Sequence, residues 1–438
     1  MIMSAVSWRC CVICCCYLAD LPVDSKYLSF SVVLVFIFIF SLSLLHLFYP
    51  GLFLIVGVNH YGVWFLDSFA ILASNDALAR GLDPYGPNAL DYFNRPHVYS
   101  HWWLGLGKLG LTRADNFWLG LSLVVAFLAT VAARLRPREP REVLWYWVVL
   151  CSSPVLLAVE RANNDLVVFV LLAPVVPCLL HANRWVRLLP VALIAVAAGL
   201  KFYPGIAGLV LLAGSDVREV RGRLGIAVVA LAVVGINLIP DLAQFSGLAP
   251  RANGLMTFGS VHLFEAVGAF GWRATALGLS TAMAIVGVFV RYRVFAGWEV
   301  AEADRADWLA FTLGAALLAG CFFSGTNFGY RWVFALWLAP LLWRLPRDVR
   351  APKSVRRLAT LTGALLVWVL WADGIASAML ARFSGTVPAG TLMRWADIFF
   401  MLEQPLHWGF FATLLGWLTH FACSGLRTLT TGSGEKTP

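Results

Sequence analysis

The stretch VALIAVAAGLKFYPGIAGLVLLAG, Val191 to Gly214, decides the membrane topology of this chain. It is apolar except at the KFYP turn, Lys201 to Pro204, and it is long enough for one membrane-spanning helix. In a single helix, however, a lysine and a proline would lie at mid-membrane, where a charge is expensive and a proline breaks the hydrogen-bond ladder. The stretch therefore predicts either two short half-spans that meet at KFYP or one long helix that carries Lys201.

The composition of the whole chain indicates a membrane protein. Of its 438 residues 60% are hydrophobic and 13% are charged, and the mean hydropathy is +0.78. A soluble domain carries about 25% charged residues. The net charge of +9 is typical either of nucleic-acid binding or of cytoplasmic loops that orient a polytopic protein. We favour orientation, and we predict membrane lipids rather than nucleic acid as partners.

The charges of the loops favour the two half-spans. With KFYP as an outer turn and a cytoplasmic N-terminus, the inner loops hold twenty Lys and Arg residues against eleven in the outer segments. A single crossing at 191–214 would move fourteen of those twenty outside, against the positive-inside rule. Together with the other apolar runs this predicts about 11–12 transmembrane segments. Those runs are 29–49, 117–134, 143–159, 166–181, 224–240, 274–290, 308–324, 330–343, 358–372 and 406–424.

We therefore expect an all-α polytopic membrane protein with a single domain at 29–426 and a long first extracytoplasmic loop at about 58–116. The Cys-rich segment 1–28 and the polar tail 427–438 are predicted to be cytoplasmic. The CxxC within Cys10 to Cys16 has no second cysteine pair and no neighbouring histidine, so it does not predict a zinc site.

In this topology the compact motifs of mixed polarity fall on the outer side. They include ERANND at Glu160 to Asp165, the KFYP turn, and GTNFGYR at Gly325 to Arg331. The inner loops are mostly basic runs, as expected of orientation signals. The pattern predicts one site at the extracytoplasmic face of the cell membrane.

Three cations of these outer turns, Arg161, Lys201 and Arg331, stand next to apolar runs. Guanidinium and ammonium groups at that depth suit a phosphate at the level of the lipid headgroups. Snorkelling, or an ion pair such as Arg161 with Glu160 or Asp165, is the alternative interpretation of each one.

Asp67 follows the aromatic-rich HYGVWFL soon after the first apolar run. A carboxylate held there suits a general base that deprotonates a hydroxyl acceptor, but it suits equally a helix N-cap for SFAILASNDALA. His97 and His101 would be metal ligands only if a metal were present, and their spacing does not predict one. His262 and Glu265, at i and i+3, would contact a phosphate or sugar, or form a surface pair.

The motifs WFLDSFAIL, GLDPY, ERANNDLVVFVLL, GLKFYPGIAGLVLL and NFGYRWVFALWLAP, in this order and spacing, resemble the GT-C superfamily. From about Trp64 to Pro340 the chain is most similar to polyprenyl-phosphate-sugar-dependent glycosyltransferases related to bacterial alpha-mannosyltransferases of the phosphatidylinositol-mannoside type. The resemblance implies a GT-C-like bundle. It also implies inverting transfer of a mannose-like hexose from a polyprenyl-phosphate donor to a lipid or glycan acceptor at the extracytoplasmic face.

The resemblance implies roles for single residues as well. Asp67 matches the family's base, and Lys201 and Arg331 match its donor-phosphate contacts, with Arg161 as a further candidate. RANND stands where relatives often carry Gly-Gln or Gly-Asn, so its polar residues either bind sugar hydroxyls or cap the next helix, at Asn164 or Asp165. The substrate-binding residues expected on this basis are Asn163, Asn164, Asp165, Tyr203, His262 and Tyr330.

The chemistry of a phosphate-linked donor fits these residues, because the leaving group is already good and only an oriented base and cations are needed. No cofactor is expected, and the sequence leaves a divalent metal open. Two alternatives remain: a transporter or flippase of lipid-linked sugars, which would also use a broken segment such as 191–214, and a polymerase or ligase of lipid-linked glycans.

Overall fold

The computed structural model describes residues 41, 50–245, 248, 255–261 and 272–431, and over these residues the chain is almost entirely helical. The predictions for the Cys-rich segment 1–28, for nearly all of the run 29–49, for His262 and Glu265, and for the end of the tail therefore lie outside the described residues. The α-helices of the described part are α1 Leu66–Ala79, α2 Asn116–Arg134, α3 Pro140–Leu150, α4 Ser153–Glu160, α5 Asn164–Leu172, α6 Val175–Leu180, α7 Leu189–Leu200, α8 Val217–Asn237, α9 Ile239–Phe245, α10 Trp272–Val294, α11 Arg305–Ser324, α12 Ala339–Arg344, α13 Lys353–Phe383 and α14 Ala389–Thr431.

Shorter 3-10 helices and one pair of strands connect these helices. The strands β1, Thr257–Phe258, and β2, Asn327–Phe328, are antiparallel, with Thr257 opposite Phe328 and Phe258 opposite Asn327. The 3-10 helices are Pro50–Val56, His101–Leu109, Arg113–Asp115, Val186–Leu188, Tyr203–Leu212, Glu302–Asp304, Gly329–Trp337 and Leu345–Arg347.

Five helical stretches in the described ranges are long and apolar enough to cross a membrane: Arg113–Arg134, Thr275–Val294, Glu302–Ser324, Lys353–Phe383 and Ala389–Thr430. A sixth is obtained if α3 and α4, which meet at a bend of 63°, form one broken span. The prediction of an all-α protein with membrane-spanning helices is thus confirmed. The count of 11–12 segments and the long outer loop stay predictions.

The chain breaks at KFYP, as the half-span prediction requires. Helix α7 ends at Leu200, Lys201 has an extended backbone with φ −149° and ψ 106°, and the 3-10 helix Tyr203–Leu212 follows. Pro204 lies at the start of that helix, where a missing N–H leaves no hydrogen bond unmade. The alternative of one unbroken helix through 191–214 is wrong, because the extended residue interrupts the backbone ladder.

The core lies where α11, α14 and the 3-10 helix Gly329–Trp337 pack together. Trp337, Trp417 and several phenylalanines are fully buried there. In the most apolar 18 residues of the stretch that contains helix α11, 72% of the residues are buried. In the corresponding part of α10 only 17% are buried. An apolar helix with so little protein cover is the kind that faces lipid.

Two glycines lock the chain that leads into α1 against α13. Gly57 has φ +74°, and a Cβ added to it would lie 2.3 Å from the carbonyl oxygen of Gly374. Only glycines allow so close a backbone approach. The contact holds the segment before Asp67 next to α13.

Candidate functional site

The start of α1 is attached to the ERANND turn. The Asp67 N–H donates to the carbonyl oxygen of Arg161 over 3.1 Å, and the Asp67 side chain is buried. Phe65, with a left-handed φ of 54°, is the residue at the N-cap position of α1. The alternative interpretation of Asp67 as the N-cap is therefore wrong, and its carboxylate is directed to partners in other elements.

Asn163 connects Asp67 to the KFYP turn. Its Nδ2 donates to Asp67 Oδ2 over 2.6 Å, while its Oδ1 accepts from the Asp165 N–H over 2.9 Å and from Lys201 Nζ over 3.3 Å. Asn163 is thus the N-cap of α5, and the expectation that Asn164 or Asp165 caps this helix is wrong. The cap begins one residue earlier because Asn163 has the extended backbone that an N-cap requires.

Lys201, Asp165 and Tyr203 form a compact buried group. Lys201 Nζ lies 2.5 Å from Asp165 Oδ1, and the Tyr203 hydroxyl donates to the same oxygen. Buried charges are tolerated only when they are paired, and this pair satisfies that condition. The second carboxylate oxygen of Asp165, Oδ2, has no hydrogen-bond partner among the described residues.

Arg331, at the start of the 3-10 helix Gly329–Trp337, adds a second cation beside this group. Its guanidinium carbon lies 4.8 Å from the centre of the Tyr203 ring, and Lys201 Nζ lies 5.3 Å from the Tyr330 ring. Over the described residues, no carboxylate oxygen lies within 4 Å of the Arg331 guanidinium, and its buried Nε has no hydrogen-bond partner. Within the described part of the chain Arg331 is therefore a cation without an ion pair.

Arg161 has only a loose ion pair. Its Nε lies 3.9 Å from Glu160 Oε2, and Glu160 Oε1 is already bonded to His60 Nδ1 at 2.8 Å. Its predicted alternative partner, Asp165, is engaged by Lys201 instead. The Arg161 guanidinium also lies 5.6 Å from the ring of Tyr61.

Sequence reasoning missed Arg95, which lies directly beside Asp67. Its Nη1 is 3.8 Å from Asp67 Oδ1, and its Nε and Nη2 each bond the Asp91 carboxylate over 2.9 Å. Burial acts to raise the pKa of Asp91, but the hydrogen bonds and charge of Arg95 lower that pKa below its ordinary value. The i, i+4 spacing of Asp91 and Arg95 was the available signal for this pair, although nothing in it indicated Asp67.

The remaining candidates lie around the cluster or have their own partners. Asn164 is buried, and neither polar atom of its side chain has a hydrogen-bond partner in the described part of the chain. His101 bonds Asp241 over 2.9 Å, and His97 lies between the rings of Tyr85 and Tyr99. The described part of the chain contains no group of three or more His, Cys, Asp or Glu side chains that could hold a metal ion.

The cluster contains several buried polar atoms without a hydrogen-bond partner among the described residues. They are Glu160 Oε2, Arg161 Nε, Asn164 Oδ1 and Nδ2, Asp165 Oδ2 and Arg331 Nε, and a second such group lies at Glu403 and Gln404. Folded proteins leave very few buried polar atoms without a partner, so a local group of them indicates a place for a ligand or water.

Comparison with known proteins finds no matching family model, no matching curated protein and no matching solved structure. The function must therefore be inferred from the geometry of the cluster together with the sequence motifs.

Proposed function

We propose that this protein is an integral-membrane glycosyltransferase. It transfers a mannose-like hexose, with inversion, from a polyprenyl-phosphate donor to a lipid or glycan acceptor at the extracytoplasmic face of the cell membrane. The observation that carries the proposal is the cluster itself, in which contacts connect the buried Asp67 carboxylate to the guanidinium of Arg331, which has no carboxylate partner among the described residues. The connecting residues are Asn163, Lys201, Asp165 and Tyr203.

Asp67 is assigned as the base. Asn163 occupies its Oδ2, whereas Oδ1 faces Arg95 at 3.8 Å, beyond hydrogen-bonding distance, so Oδ1 can accept a proton. The acceptor hydroxyl oxygen forms a bond to the anomeric carbon and its proton passes to Asp67. The bond from the anomeric carbon to the phosphate oxygen breaks, and the polyprenyl phosphate leaves with the electron pair.

Arg331 is assigned as the principal contact of the donor phosphate. A guanidinium is always charged and offers two parallel N–H donors to phosphate oxygens, and no described carboxylate oxygen lies within 4 Å of the Arg331 guanidinium. Lys201 is paired with Asp165. We therefore assign it a contribution to the electrostatic field around the phosphate rather than a direct bond to a phosphate oxygen. Arg161 is left out of the proposed phosphate contacts, because Glu160 Oε2 lies 3.9 Å from its Nε.

The decisive experiment replaces Asp67 by asparagine, which keeps the shape of the side chain but cannot take up the proton. We expect hexose transfer to fall about 100-fold or more in the folded full-length protein. The assay follows transfer from a panel of polyprenyl-phosphate sugars and identifies the products by mass spectrometry.

Asp83→Asn is the matched control for Asp67→Asn. Asp83 lies in the same predicted outer loop, and its Oδ1 accepts from the Tyr85 N–H at 3.0 Å, a bond that an amide oxygen preserves. This variant should keep its activity. Full transfer by a folded Asp67→Asn protein would overturn the assignment.

A transporter or flippase of lipid-linked sugars is the second candidate, favoured by the 63° bend between α3 and α4 and the break at Lys201. In proteoliposomes it would move the lipid-linked sugar across the bilayer and form no covalent product. A polymerase or ligase would transfer a whole glycan, whereas the proposed enzyme adds one hexose.

A further inference from the structure

A closed ring of contacts begins and ends at Asp67. Asp67 Oδ1 faces Arg95 at 3.8 Å, and the Arg95 guanidinium lies 5.6 Å from the Phe93 ring. Phe93 packs edge-on against Tyr61 with 5.3 Å between ring centres, and Tyr61 lies 5.6 Å from the Arg161 guanidinium. The Arg161 carbonyl oxygen, which accepts the Asp67 N–H, closes the ring. We call these five residues the aromatic mouth.

The residues of the aromatic mouth differ in their exposure to solvent. The side chains of Tyr61 and Phe93 are 41% and 46% exposed, whereas Asp67 is buried. Neighbouring Tyr92, itself exposed, packs edge-on against Phe93 at 4.8 Å. Exposed rings gathered beside a buried carboxylate are typical of a binding surface rather than of scattered surface residues.

The charges of the mouth disfavour an anion as its ligand. Each guanidinium already has a carboxylate neighbour, Asp91 for Arg95 and Glu160 for Arg161, and Asp67 adds a further negative charge. A neutral ligand with many hydroxyl groups suits this balance. Its hydroxyls can bond the arginine N–H groups and a carboxylate oxygen, and its C–H face can pack on the negative face of an aromatic ring.

We propose that the aromatic mouth binds the acceptor through a neutral polyhydroxylated ring, such as a pyranose or a cyclitol, stacked on Tyr61 and Phe93. One hydroxyl of this ring then reaches Asp67 Oδ1. The inference rests on the proposed function, because it assigns Asp67 Oδ1, which faces Arg95, to the acceptor. The other oxygen, Oδ2, accepts from Asn163, which also contacts Lys201 of the proposed donor site.

The test measures binding directly and without a donor. Full-length protein in nanodiscs is titrated with methyl α-D-mannopyranoside, and contact with the sugar is followed by saturation-transfer-difference NMR. A second arm uses dodecyl α-D-mannopyranoside incorporated in the nanodisc, so that a soluble and a lipid-linked source of the same ring are distinguished.

We expect Tyr61→Ala and Phe93→Ala to weaken sugar binding about tenfold each, since each removes one stacking face. The conservative variants Tyr61→Phe and Phe93→Tyr keep an aromatic face and should bind as the original protein does. Trp185→Ala is the matched control, because Trp185 is 67% exposed and lies 5.0 Å from Arg184 in an arginine–aromatic contact of the same kind outside the mouth.

Three results would overturn the inference: no polyol binding in either arm, unchanged binding in both alanine variants, or equal losses in Trp185→Ala. The last two would indicate that Tyr61 and Phe93 act as interfacial anchors only. The outcome is separable from that of the proposed function. Sugar binding without any hexose transfer contradicts only the proposed function, whereas transfer with an unchanged acceptor KM in both alanine variants contradicts only the aromatic mouth.

Discussion

Asn163 shows, at the scale of a single residue, how one amide assigns the roles of its neighbours. Its Nδ2 can only donate and its Oδ1 can only accept, so its contacts make Asp67 an acceptor and Lys201 a donor. Among the described residues, one of the two N–H groups of the amide has a hydrogen-bond acceptor, Asp67 Oδ2. The predicted sugar contact of Asn163 therefore stays open beside its role in holding Asp67.

His97 carries a prediction about pH. Its side chain is 1% exposed, and burial lowers its pKa from 6.5 to about 4, despite a 3.2 Å contact between Nε2 and the Ser100 carbonyl oxygen. The unfolded chain therefore takes up a proton at a higher pH than the folded protein does. The stability that the neutral ring contributes is complete above pH 6.5 and is lost as the pH falls towards 4, up to about 3 kcal/mol.

The measurement is the thermal unfolding midpoint of the full-length protein between pH 7.5 and pH 4.5. We expect His97→Gln to flatten the fall in the midpoint over this range. His181→Gln, at an exposed histidine, should leave the fall unchanged. An equally steep fall in His97→Gln would show that other groups cause it.

At the scale of elements, two unusually long 3-10 helices begin at the site. Tyr203–Leu212 and Gly329–Trp337 start at residues of the cluster, and such runs rarely exceed three or four residues. Phe328, directly before the second of them, has an extended backbone, whereas the first follows Phe202, which has a helical backbone and comes directly after the extended Lys201. Both starts bring a cation to Tyr203: the Arg331 guanidinium lies over its ring, and Lys201 shares Asp165 Oδ1 with its hydroxyl.

Gly199 determines how closely the 3-10 helix His101–Leu109 docks on α7. A Cβ at this position would lie 2.1 Å from Cζ3 of Trp102, whose Nε1 is held by Asn237 Oδ1 at 2.8 Å. Gly199→Ala should therefore destabilise the protein by about 1–3 kcal/mol, seen as a lower unfolding midpoint. Relief of the overlap with the Trp102 ring would move this end of α7 and with it the neighbouring Lys201.

Two variants control for this effect. Gly222→Ala, on an open face of α8 where a Cβ would meet nothing within 4 Å, should be neutral or stabilising by up to about 1 kcal/mol. Adding Trp102→Ala to Gly199→Ala removes the obstructing ring, so the two changes should be less than additive. Strict additivity would contradict the proposed overlap.

At the scale of the whole molecule, the orientation predicted from loop charges can be tested with single cysteines. The connection 384–388 between α13 and α14 is predicted to lie outside, and Val349, in the basic stretch before α13, is predicted to lie inside. In intact cells a membrane-impermeant maleimide should label Gly385→Cys but not Val349→Cys, above the background of the unaltered chain.

Permeabilised cells should allow labelling of both positions, which controls for the reactivity of each cysteine. The opposite pattern in intact cells would invert the topology. It would also place the Asp67 cluster on the cytoplasmic side and remove the reason for a lipid-linked donor at the outer face.

The fold class of this protein and the break in its 191–214 segment were determined by its sequence alone. The apolar composition and the long apolar runs determined an all-α protein with membrane-spanning helices, because backbone groups in lipid must be satisfied within helices. Lys201 and Pro204 likewise predicted the break in 191–214, since both residues oppose a continuous helix in an apolar setting. Local chemistry was sufficient for these features.

The pairing of the polar residues was decided only by the tertiary structure. Asp67 contacts Arg95 and Asn163, and Asp165 pairs with Lys201 rather than with Arg161. These contacts join segments that are far apart in sequence. Among the described residues no carboxylate oxygen lies within 4 Å of the Arg331 guanidinium. Such pairs depend on which helix ends meet, and that is set by packing of the apolar core. The sequence thus identified the polar residues, and the packing decided which of them neutralise one another and which retain charge for a ligand.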